Sequence, residues 1–380
     1  MDLQDFLQPA SGTLKCYNEK NILASCIDFL HEVKNVDFYS YDIFIIGNYE
    51  QRTIETSSYS KAPQLIREQL LMLSKVSRHV SILDFGDFKS GKTLADSLVV
   101  IREVLSFLQV YNKPIIIMGG AYEMVREIAP YAFKDQEYPC LTTINSRIDT
   151  QSTIQGAEEE SCLHFLVNNT PALRLNHIAH QTYYTIDSAV EWYEQMYFPY
   201  VRLANIKQLK EVEPLLRDSQ LIHFCMNAIR FSDNPGVLHP SPTGLHAEQS
   251  CQIAWYSGFS DNSKMFFVSD YLPDNDKHNV SALLSAQLLW HFIDGVVQRK
   301  NENLNLEEAH NKYYVQNNYI HQNIVFYESK KTGRMWVDVP LNKENLKRIM
   351  PCSESEYKRA VANEIPSEWL LEFNRLFSKE

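Results

Sequence analysis

The sequence predicts an α/β protein, a three-layer α/β/α sandwich built on a mainly parallel sheet. Two observations predict this class. Short runs of consecutive apolar residues alternate along the chain with longer stretches that carry apolar residues at helical spacing. The short runs are apolar throughout rather than at every second position, which is typical of parallel strands covered by helices on both faces. In such sheets ligands bind outside the carboxyl ends of the strands.

The individual elements follow from the same two patterns. The predicted strands are Tyr41–Tyr49, His79–Gly86, Pro114–Gly120, Pro139–Asn145, Leu175–Tyr183, Ser219–Asn227 and Ser263–Leu272. The predicted helices between them are Ala62–Leu73, Thr93–Tyr111, Ile186–Tyr197 and His246–Phe259.

The pattern changes after about residue 301. Asn323–Val339 alternates aromatic and polar residues around a Lys-Lys-Thr-Gly turn and predicts a hairpin. Ile365–Phe377 predicts a short amphipathic helix that begins at a Pro-Ser pair. We therefore expect an N-terminal extension over residues 1–40, a main domain over 41–300 and a C-terminal extension over 301–380. The two extensions should pack on the main domain, because a segment of about 80 residues makes only a marginal core.

Composition excludes several classes of function. A hydrophobic content of 44% and a charged content of 22% are typical of globular proteins. The net charge of -11 argues against binding to nucleic acid or to an anionic membrane surface. The N-terminal residues do not resemble a secretory signal, and no apolar run reaches the ~20 residues that span a bilayer. Seven cysteines without a Cys-x-x-Cys pair favour reduced thiols, so we expect a cytoplasmic protein.

Polar residues at three strand ends are the candidate functional positions. They follow the apolar runs in Pro114–Glu123, Leu141–Thr150 and Leu221–Phe231. A hydrolase that activates water on two metal ions needs carboxylates and imidazoles that converge from several strand ends.

The order of these segments resembles that of the ureohydrolase family, which comprises arginases, agmatinases and formiminoglutamases. The resemblance covers roughly residues 41–295 and rests on the segments APQLIREQLL, ILDFGD, PIIIMGGAYE, TINSRID, HFCMNAIR, TGLHAEQ and FFVSDYLPDND. It implies an arginase-like fold, two manganese ions and hydrolysis of a guanidino- or formimino-type C–N bond.

Most of the ligands that the resemblance implies are replaced here. Tyr122 stands where the family has its first histidine. The Asp, His and Asp of the next motif fall on Asn145, Arg147 and Asp149. The two aspartates of the third motif and a later supporting aspartate fall on Cys225, Asn227 and Arg230. Asp270 keeps the place of the acidic residue that binds the substrate's guanidinium-like group.

These replacements favour a catalytically inactive, ureohydrolase-like pseudoenzyme that needs no cofactor. Its role would be binding, scaffolding or assembly, with an unidentified protein partner or as a homo-oligomer. An active hydrolase with an altered metal set stays open, with Asp149, Cys225, Asn227 and Asp270 as the residues to test. A mononuclear site built from Asp149, His223 and Cys225 stays open too, because His223 and Cys225 share a strand face.

A second motif competes with this interpretation. Residues 86–93, Gly-Asp-Phe-Lys-Ser-Gly-Lys-Thr, match the phosphate-binding P-loop pattern. Gly86 and Gly91 would let backbone amides approach the phosphates, Lys92 would contact the terminal phosphates and Thr93 a magnesium ion. Asp87 inside the loop would repel phosphate, so we expect an ordinary surface loop and keep nucleotide binding as an alternative.

Two further groups of residues need an interpretation. His177 and His180 lie three apart in a predicted strand, so we expect them on opposite faces and in structural roles. The aromatic tail is the other group, and its residue types are those that anchor protein interfaces. The residues predicted to bind a partner are Phe326, Tyr327, Arg334, Trp336 and Trp369.

Overall fold

A computed structural model describes residues 3–10, 20–50, 61–150, 161–206, 208–302, 309–320, 322–341 and 347–377 of the chain. The predicted fold class is confirmed: a sheet of mostly parallel strands lies between two layers of helices. The strands are β1 (Leu7–Gln8), β2 (Ile27–Phe29), β3 (Ile43–Gly47), β4 (Ile82–Phe88), β5 (Ile115–Met118), β6 (Cys140–Ile144), β7 (Arg174–His180), β8 (Tyr200–Arg202), β9 (Leu221–Cys225) and β10 (Met265–Ser269).

The helices of the main layers follow the strands in alternation. They are α1 (Ala62–Met72), α2 (Leu94–Leu108), α3 (Val125–Ala132), α4 (Cys162–Asn169), α5 (Asp187–Gln195), α6 (Glu213–Asp218), α7 (Ala247–Phe259) and α8 (Val280–Val297). Short 3₁₀ helices are Leu3–Asp5, Leu23–Cys26, Phe38–Ser40, Gln109–Tyr111, Tyr122–Met124, Leu203–Asn205, Leu209–Glu211, Met226–Ala228 and Pro273–Asn275.

The strand order explains where a site can form. It is β1-β4-β3-β5-β10-β9-β6-β7-β8, with β2 also paired to β4, and β1 is the antiparallel member of the sheet. Strands β5, β10, β9 and β6 are central and adjacent, and every residue in them is buried. Their carboxyl ends therefore lie side by side at one edge of the sheet.

Helix α8 is an element that the sequence patterns did not predict. By length and composition alone, α8 could cross a membrane. It is the one helix among the described residues of which this is true. Of its residues, 56% are buried, and it packs on α1 and α7. Burial on most sides explains its apolar character, because a helix in the core has no polar face to display.

A second sheet follows α8. Its strands β11 (His310–Asn317), β12 (Gln322–Ser329), β13 (Met335–Pro340) and β14 (Lys347–Cys352) are antiparallel and adjacent in chain order. The predicted hairpin is β12–β13, and β11 and β14 extend it on both sides. Helices α9 (Glu354–Val361) and α10 (Ser367–Phe377) cover one face of this sheet, where Trp369 and Ala360 join its apolar cluster.

Buried arginines join the second sheet to the first. Arg217 in α6 donates to the carbonyls of Met335 and Cys352 at 3.1 and 3.2 Å. Arg348 in β14 pairs with Asp218 at 2.7 Å, and all of these groups are buried. The exact domain boundaries at residues 41 and 301 stay a prediction.

Candidate functional site

The candidate site lies at the carboxyl ends of the four central strands. Tyr122 follows β5, Arg147 follows β6, Cys225 ends β9 and Asp270 follows β10. Because these strands are neighbours, residues from all three predicted segments and from the end of β10 reach one edge of the sheet.

A thiol and a carboxylate form the centre of this edge. The Cys225 thiol donates to Asp270 Oδ2 at 3.3 Å, and the Asn227 amide donates to the same sulfur at 3.5 Å. Burial, with Asp270 alongside, raises the pKa of the Cys225 thiol well above its usual value, so it stays protonated. A protonated thiol is a hydrogen-bond donor and neither a nucleophile nor a metal ligand.

The same carboxylate accepts from Ser269, which links it to a buried histidine. The Ser269 hydroxyl donates to Asp270 Oδ2, so it accepts from His223 Nε2 at 2.7 Å. The His223 ring packs between those of Tyr122 and Phe267, each 5.2 Å away. Burial lowers the pKa of His223 to about 3, so this histidine is neutral at neutral pH.

Asp270 is held in a conformation that few residues adopt. Its φ of 65° places it in the left-handed region, and its N–H donates to the carbonyl of Gly120 at 2.9 Å. Gly120 itself has φ 81°, and a Cβ there would meet Asn48 Nδ2 at 2.3 Å. Burial raises the pKa of Asp270, while hydrogen bonds from Ser269, Cys225 and the Tyr122 backbone oppose that shift. A residue that is strained and accepts several hydrogen bonds is typical of a backbone conformation that its neighbours impose.

Arg147 brings a positive charge to this edge. Its guanidinium lies 5.8 Å from the centre of the Tyr184 ring. Burial, and then the Arg147 charge, lower the pKa of His239, and the same charge opposes the rise that burial causes in the pKa of Asp270. Arg174 and Arg348 each pair with Asp218, whereas Arg147 has no ion pair with a carboxylate among the described residues.

The other predicted positions do not converge on Asp270. Asn145 accepts from the N–H of Ser146 at 2.7 Å and its carbonyl contacts His177 Nε2 at 3.1 Å. Arg230 pairs with Asp233 at 2.9 Å. Burial, with the charge of Asp149 among the smaller causes, raises the pKa values of Tyr122 and Cys162.

No group of three His, Cys, Asp or Glu side chains able to hold a metal is present within the described ranges. The mononuclear alternative needs Asp149, His223 and Cys225 as ligands. In the structure His223 contacts Ser269 and Cys225 contacts Asp270, and the three candidate ligands do not form a metal-binding group within the described ranges. The structure therefore does not support that set of ligands.

The prediction that His177 and His180 face opposite ways is wrong. Their ring centres lie 6.0 Å apart, because Ala179 between them has φ 75° and the β7–β8 register shifts there. Burial lowers the pKa of His177 to about 3 and that of His180 to about 4. Both are neutral and buried, in keeping with a structural role.

The P-loop alternative does not fit the geometry. Gly86 lies inside β4, where β1 pairs along the next two residues. Asp87 is buried against Arg67 at 3.1 Å. Thr93 begins α2 in a capping box with Asp96, whose carboxylate accepts from the Thr93 N–H at 2.9 Å.

The loop amides at this helix start therefore bind side chains of their own helix. The Gly91 N–H donates to Ser97 Oγ at 2.8 Å, and Lys92 is exposed next to it. A phosphate would meet the Asp96 carboxylate where a P-loop presents free amides. These contacts favour an ordinary βα loop, and that expectation stays a prediction.

The aromatic tail residues do not form an exposed partner-binding surface. Phe326, Tyr327, Trp336 and Trp369 are buried, with at most 8% of their surface exposed. Arg334 pairs with Glu302 and Glu213. The predicted interface is wrong because alternation along a strand identifies two faces without telling which of them another part of the chain covers.

The sequence analysis missed three residues that complete the site. Ser269 connects His223 to Asp270, Tyr184 lies under Arg147, and His239 faces the Arg147 charge. The position of Ser269, one residue before Asp270 at a strand end, was the available signal. No pattern in the sequence pointed to Tyr184.

Comparisons with known proteins agree with this architecture. No family model matches the chain. Formimidoylglutamase of Staphylococcus haemolyticus is 20% identical over 254 residues, 61% of this chain and 78% of that protein. The Staphylococcus aureus formimidoylglutamase is 21% identical over the same shares.

Solved structures extend the similarity. Formimidoylglutamase of Bacillus subtilis has a TM-score of 0.66 at 16% identity, over 79% of this chain and 99% of that chain. Formiminoglutamase of Trypanosoma cruzi with Mn²⁺ scores 0.63 at 16% identity, over 70% and 96%. Agmatine ureohydrolase of Thermoplasma volcanium scores 0.60 at 16% identity, over 74% and 96%.

The fold is thus that of the arginase superfamily, and the resemblance to the ureohydrolases is confirmed. Within that superfamily, formimidoylglutamases are similar to this chain both in sequence and in structure.

Proposed function

We propose that this protein is a ureohydrolase-fold pseudoenzyme that acts by binding and does not carry out two-metal hydrolysis. One observation carries the proposal. Arg147, which has no ion pair with a carboxylate among the described residues, adds a positive charge that acts on Asp270, at the edge where the relatives' metal chemistry would require two divalent cations. Arg147 is half-buried and Asp270 is buried, so water screens the repulsion between Arg147 and an added cation less than it would at a fully exposed surface.

The donor set is a poor match for two manganese ions. Manganese favours carboxylate and imidazole ligands. Here Cys225 is protonated, Asn227 is neutral and the Asn145 side chain accepts from the N–H of Ser146. The Asp270 carboxylate already accepts from Ser269 and Cys225. Loading the site would require these contacts to break.

The binding role would use the exposed aromatic side chains at the same edge. Tyr183 and Phe231 are 66% and 51% exposed, and the Tyr183 ring lies 4.8 Å from that of Tyr184. Exposed aromatic groups beside a cationic side chain suit a protein or ligand that carries an anionic group. A photo-crosslinking residue at Phe231 should capture a specific partner, whereas one at exposed Val361 in α9 should not. Equal capture at both positions would contradict this surface.

A second candidate function is metal-dependent hydrolysis of a formimino or guanidino C–N bond with an altered ligand set. The sequence similarity to formimidoylglutamases favours it, and Asp149 and Asp270 keep acidic residues at two of the family's positions. Cys225 and Asn227 would have to serve as further ligands.

The test is an assay of purified protein with manganese present. Formiminoglutamate, agmatine and arginine would be supplied, and ammonia, formamide and urea measured. We expect no turnover above the rate without protein. Turnover that Asp149→Ala and Asp270→Asn both abolish would overturn the pseudoenzyme proposal in favour of the hydrolase.

A further inference from the structure

The opposite edge of the main sheet contains a cavity of about 810 Å³. It opens at the amino ends of β5 and β10, away from the candidate site at their carboxyl ends. Its volume lies in the range of pockets that enclose small organic ligands, which is roughly 300–1,000 Å³. Its walls mix apolar groups such as Ile115 and Met265 with polar and charged side chains.

Basic groups predominate in its lining. The basic residues are Lys113, Lys134, Lys264 and Arg299, against the acidic residues Asp135 and Asp261. The chain as a whole carries a net charge of -11, so a cavity lined with more basic than acidic groups runs against its overall charge.

None of the four basic side chains forms an ion pair with a carboxylate among the described residues, although Asp261 attracts Arg299 and Asp135 attracts Lys264. Lys113 Nζ donates to the Tyr39 carbonyl at 3.0 Å, and Lys264 Nζ donates to the Lys134 carbonyl at 3.3 Å. The Arg299 guanidinium donates to the carbonyls of Gly258 and Ser263. These neutral contacts orient the cations without neutralising them.

The two acidic groups leave the lining with a net positive charge, since they number two against four basic groups. The Asp261 carboxylate accepts from the backbone N–H groups of Asn301 and Glu302 at 3.2 and 2.8 Å. Asp135 is exposed and acts on Lys264 across the cavity. Burial lowers the pKa of Lys264 in spite of Asp135, so this ammonium group would gain from an anionic ligand.

A buried hydroxyl provides an independent sign of a ligand. Ser263 lines the cavity with 1% of its surface exposed, and its Oγ has no hydrogen-bond partner among the residues that the structure describes. Buried polar atoms in native proteins are nearly always hydrogen-bonded. A ligand with an acceptor oxygen would give the Ser263 hydroxyl the partner that the protein does not supply.

We propose that this cavity is a binding site for a small molecule that bears a phosphate or carboxylate group, held by Lys113, Lys264 and Ser263. Lys134 and Arg299 add positive charge at its rim and wall. The site is separate from the carboxyl-edge site and does not depend on whether the protein hydrolyses anything.

Competitive lysine labelling tests the proposal on the intact chain. The protein is acetylated with acetic anhydride, with inorganic phosphate, with succinate or with sodium chloride at matched ionic strength, and each lysine is followed by peptide mass spectrometry. Lys113 and Lys264 should be labelled about tenfold more slowly with at least one of the two anions. The exposed Lys358 in α9, with 69% of its side chain accessible, serves as the control and should react at an unchanged rate.

The two probes distinguish the two ligand chemistries. Protection by phosphate alone identifies a phosphate-bearing ligand, and protection by succinate alone identifies a carboxylate. Unchanged labelling of Lys113 and Lys264 with both anions would overturn the proposal, as would equal slowing at Lys358.

Variants then assign the contacts. In isothermal titration with the protecting anion, Lys264→Met should weaken binding about tenfold and Ser263→Ala about threefold, because a charged and a neutral hydrogen bond are lost. Lys358→Met should bind as the unaltered protein does. Full retention of binding in both Lys264→Met and Lys113→Met would contradict the assigned site.

Discussion

The thiol of Cys225 and the carboxylate of Asp270 form a hydrogen bond of 3.3 Å at the ends of adjacent strands β9 and β10. This contact needs a proton on sulfur, which burial provides by raising the pKa of Cys225. The pair is stable without a metal because one partner is neutral. Two carboxylates in the same places would repel each other unless a cation lay between them.

Cys225→Asp should therefore destabilise the metal-free protein. It would place a second carboxylate against Asp270 in a buried site, at a cost of about 2–4 kcal/mol. Urea unfolding followed by circular dichroism measures the change. Cys225→Ser keeps a neutral donor and is the matched control, with an expected loss below about 1.5 kcal/mol. Equal stability of Cys225→Asp and Cys225→Ser would show that the neutral partner is not required.

The buried histidines should make the protein sensitive to acid. His177 and His223 have folded-state pKa values of about 3 and His180 of about 4, all lowered mainly by burial. The unfolded chain then binds more protons than the folded chain between about pH 6.5 and pH 3. Stability should fall as the pH falls through that window.

His223→Gln tests this link, because glutamine keeps an N–H donor for Ser269 and does not titrate. The loss of unfolding free energy between pH 6.5 and pH 4 should be smaller in His223→Gln than in the unaltered protein, by about 2–3 kcal/mol. His31→Gln, at a histidine with 36% of its side chain exposed, is the control. The same dependence of unfolding free energy on pH in His223→Gln, His31→Gln and the unaltered protein would contradict this role of His223.

A buried ion cluster should hold the C-terminal helix in place. Glu372 in α10 pairs with Arg375 at 2.6 Å and with Arg348, and lies 3.7 Å from Arg174 in β7. These cations hold the pKa of Glu372 well below its usual range in spite of burial. Glu372→Gln would remove the carboxylate that these buried cations share, while Asp218 would still pair with Arg348 and Arg174, and should cost about 3–5 kcal/mol.

Glu354→Gln is the matched comparison for that substitution. Glu354 pairs with Lys358 one helical turn away, and both side chains are more than 60% exposed. Its loss should leave the free energy of unfolding essentially unchanged, because water screens an exposed ion pair. Similar small effects of both substitutions in urea unfolding would argue that α10 does not depend on the cluster.

Glu356 should make the folded protein less stable as the pH rises, which is opposite to the effect of the buried histidines. Burial raises its pKa to about 7, and its carboxylate accepts from the Glu368 N–H at 3.1 Å at the start of α10. The folded chain then binds the extra proton between about pH 4.5 and pH 7, so this group stabilises less as the pH rises. Glu356→Gln should be more stable than the unaltered protein at pH 8, by about 1–2 kcal/mol, and similar at pH 4. A lower thermal midpoint of Glu356→Gln at pH 8 would contradict this assignment.

Much of the main sheet could be predicted because each buried parallel strand is a continuous apolar run. Strands β1, β2 and β8 have only two or three residues, which is too short to show a pattern. Helix α8 is apolar on most sides, so its residues show no helical stripe. These elements depend on contacts that a local pattern does not contain.

The sequence predicts where the site lies on the sheet. It does not predict the directions in which the side chains of the site point. The rule that ligands bind at carboxyl strand ends located Cys225 and Asp270. The left-handed conformation of Ala179, which few non-glycine residues adopt, turned His180 to the side of His177. The covered face of the tail sheet likewise depends on α6, whose Arg217 lies 4.3 Å from the Trp336 ring.

The most direct test of the central claim is the metal content of untagged protein, measured by plasma mass spectrometry after purification with manganese, zinc and iron available. The proposal of a binding protein predicts less than about a tenth of a metal ion per chain, with Asp149→Ala indistinguishable from the unaltered protein. One or two metal ions per chain, lost on Asp149→Ala, would contradict it and indicate a rebuilt hydrolytic centre.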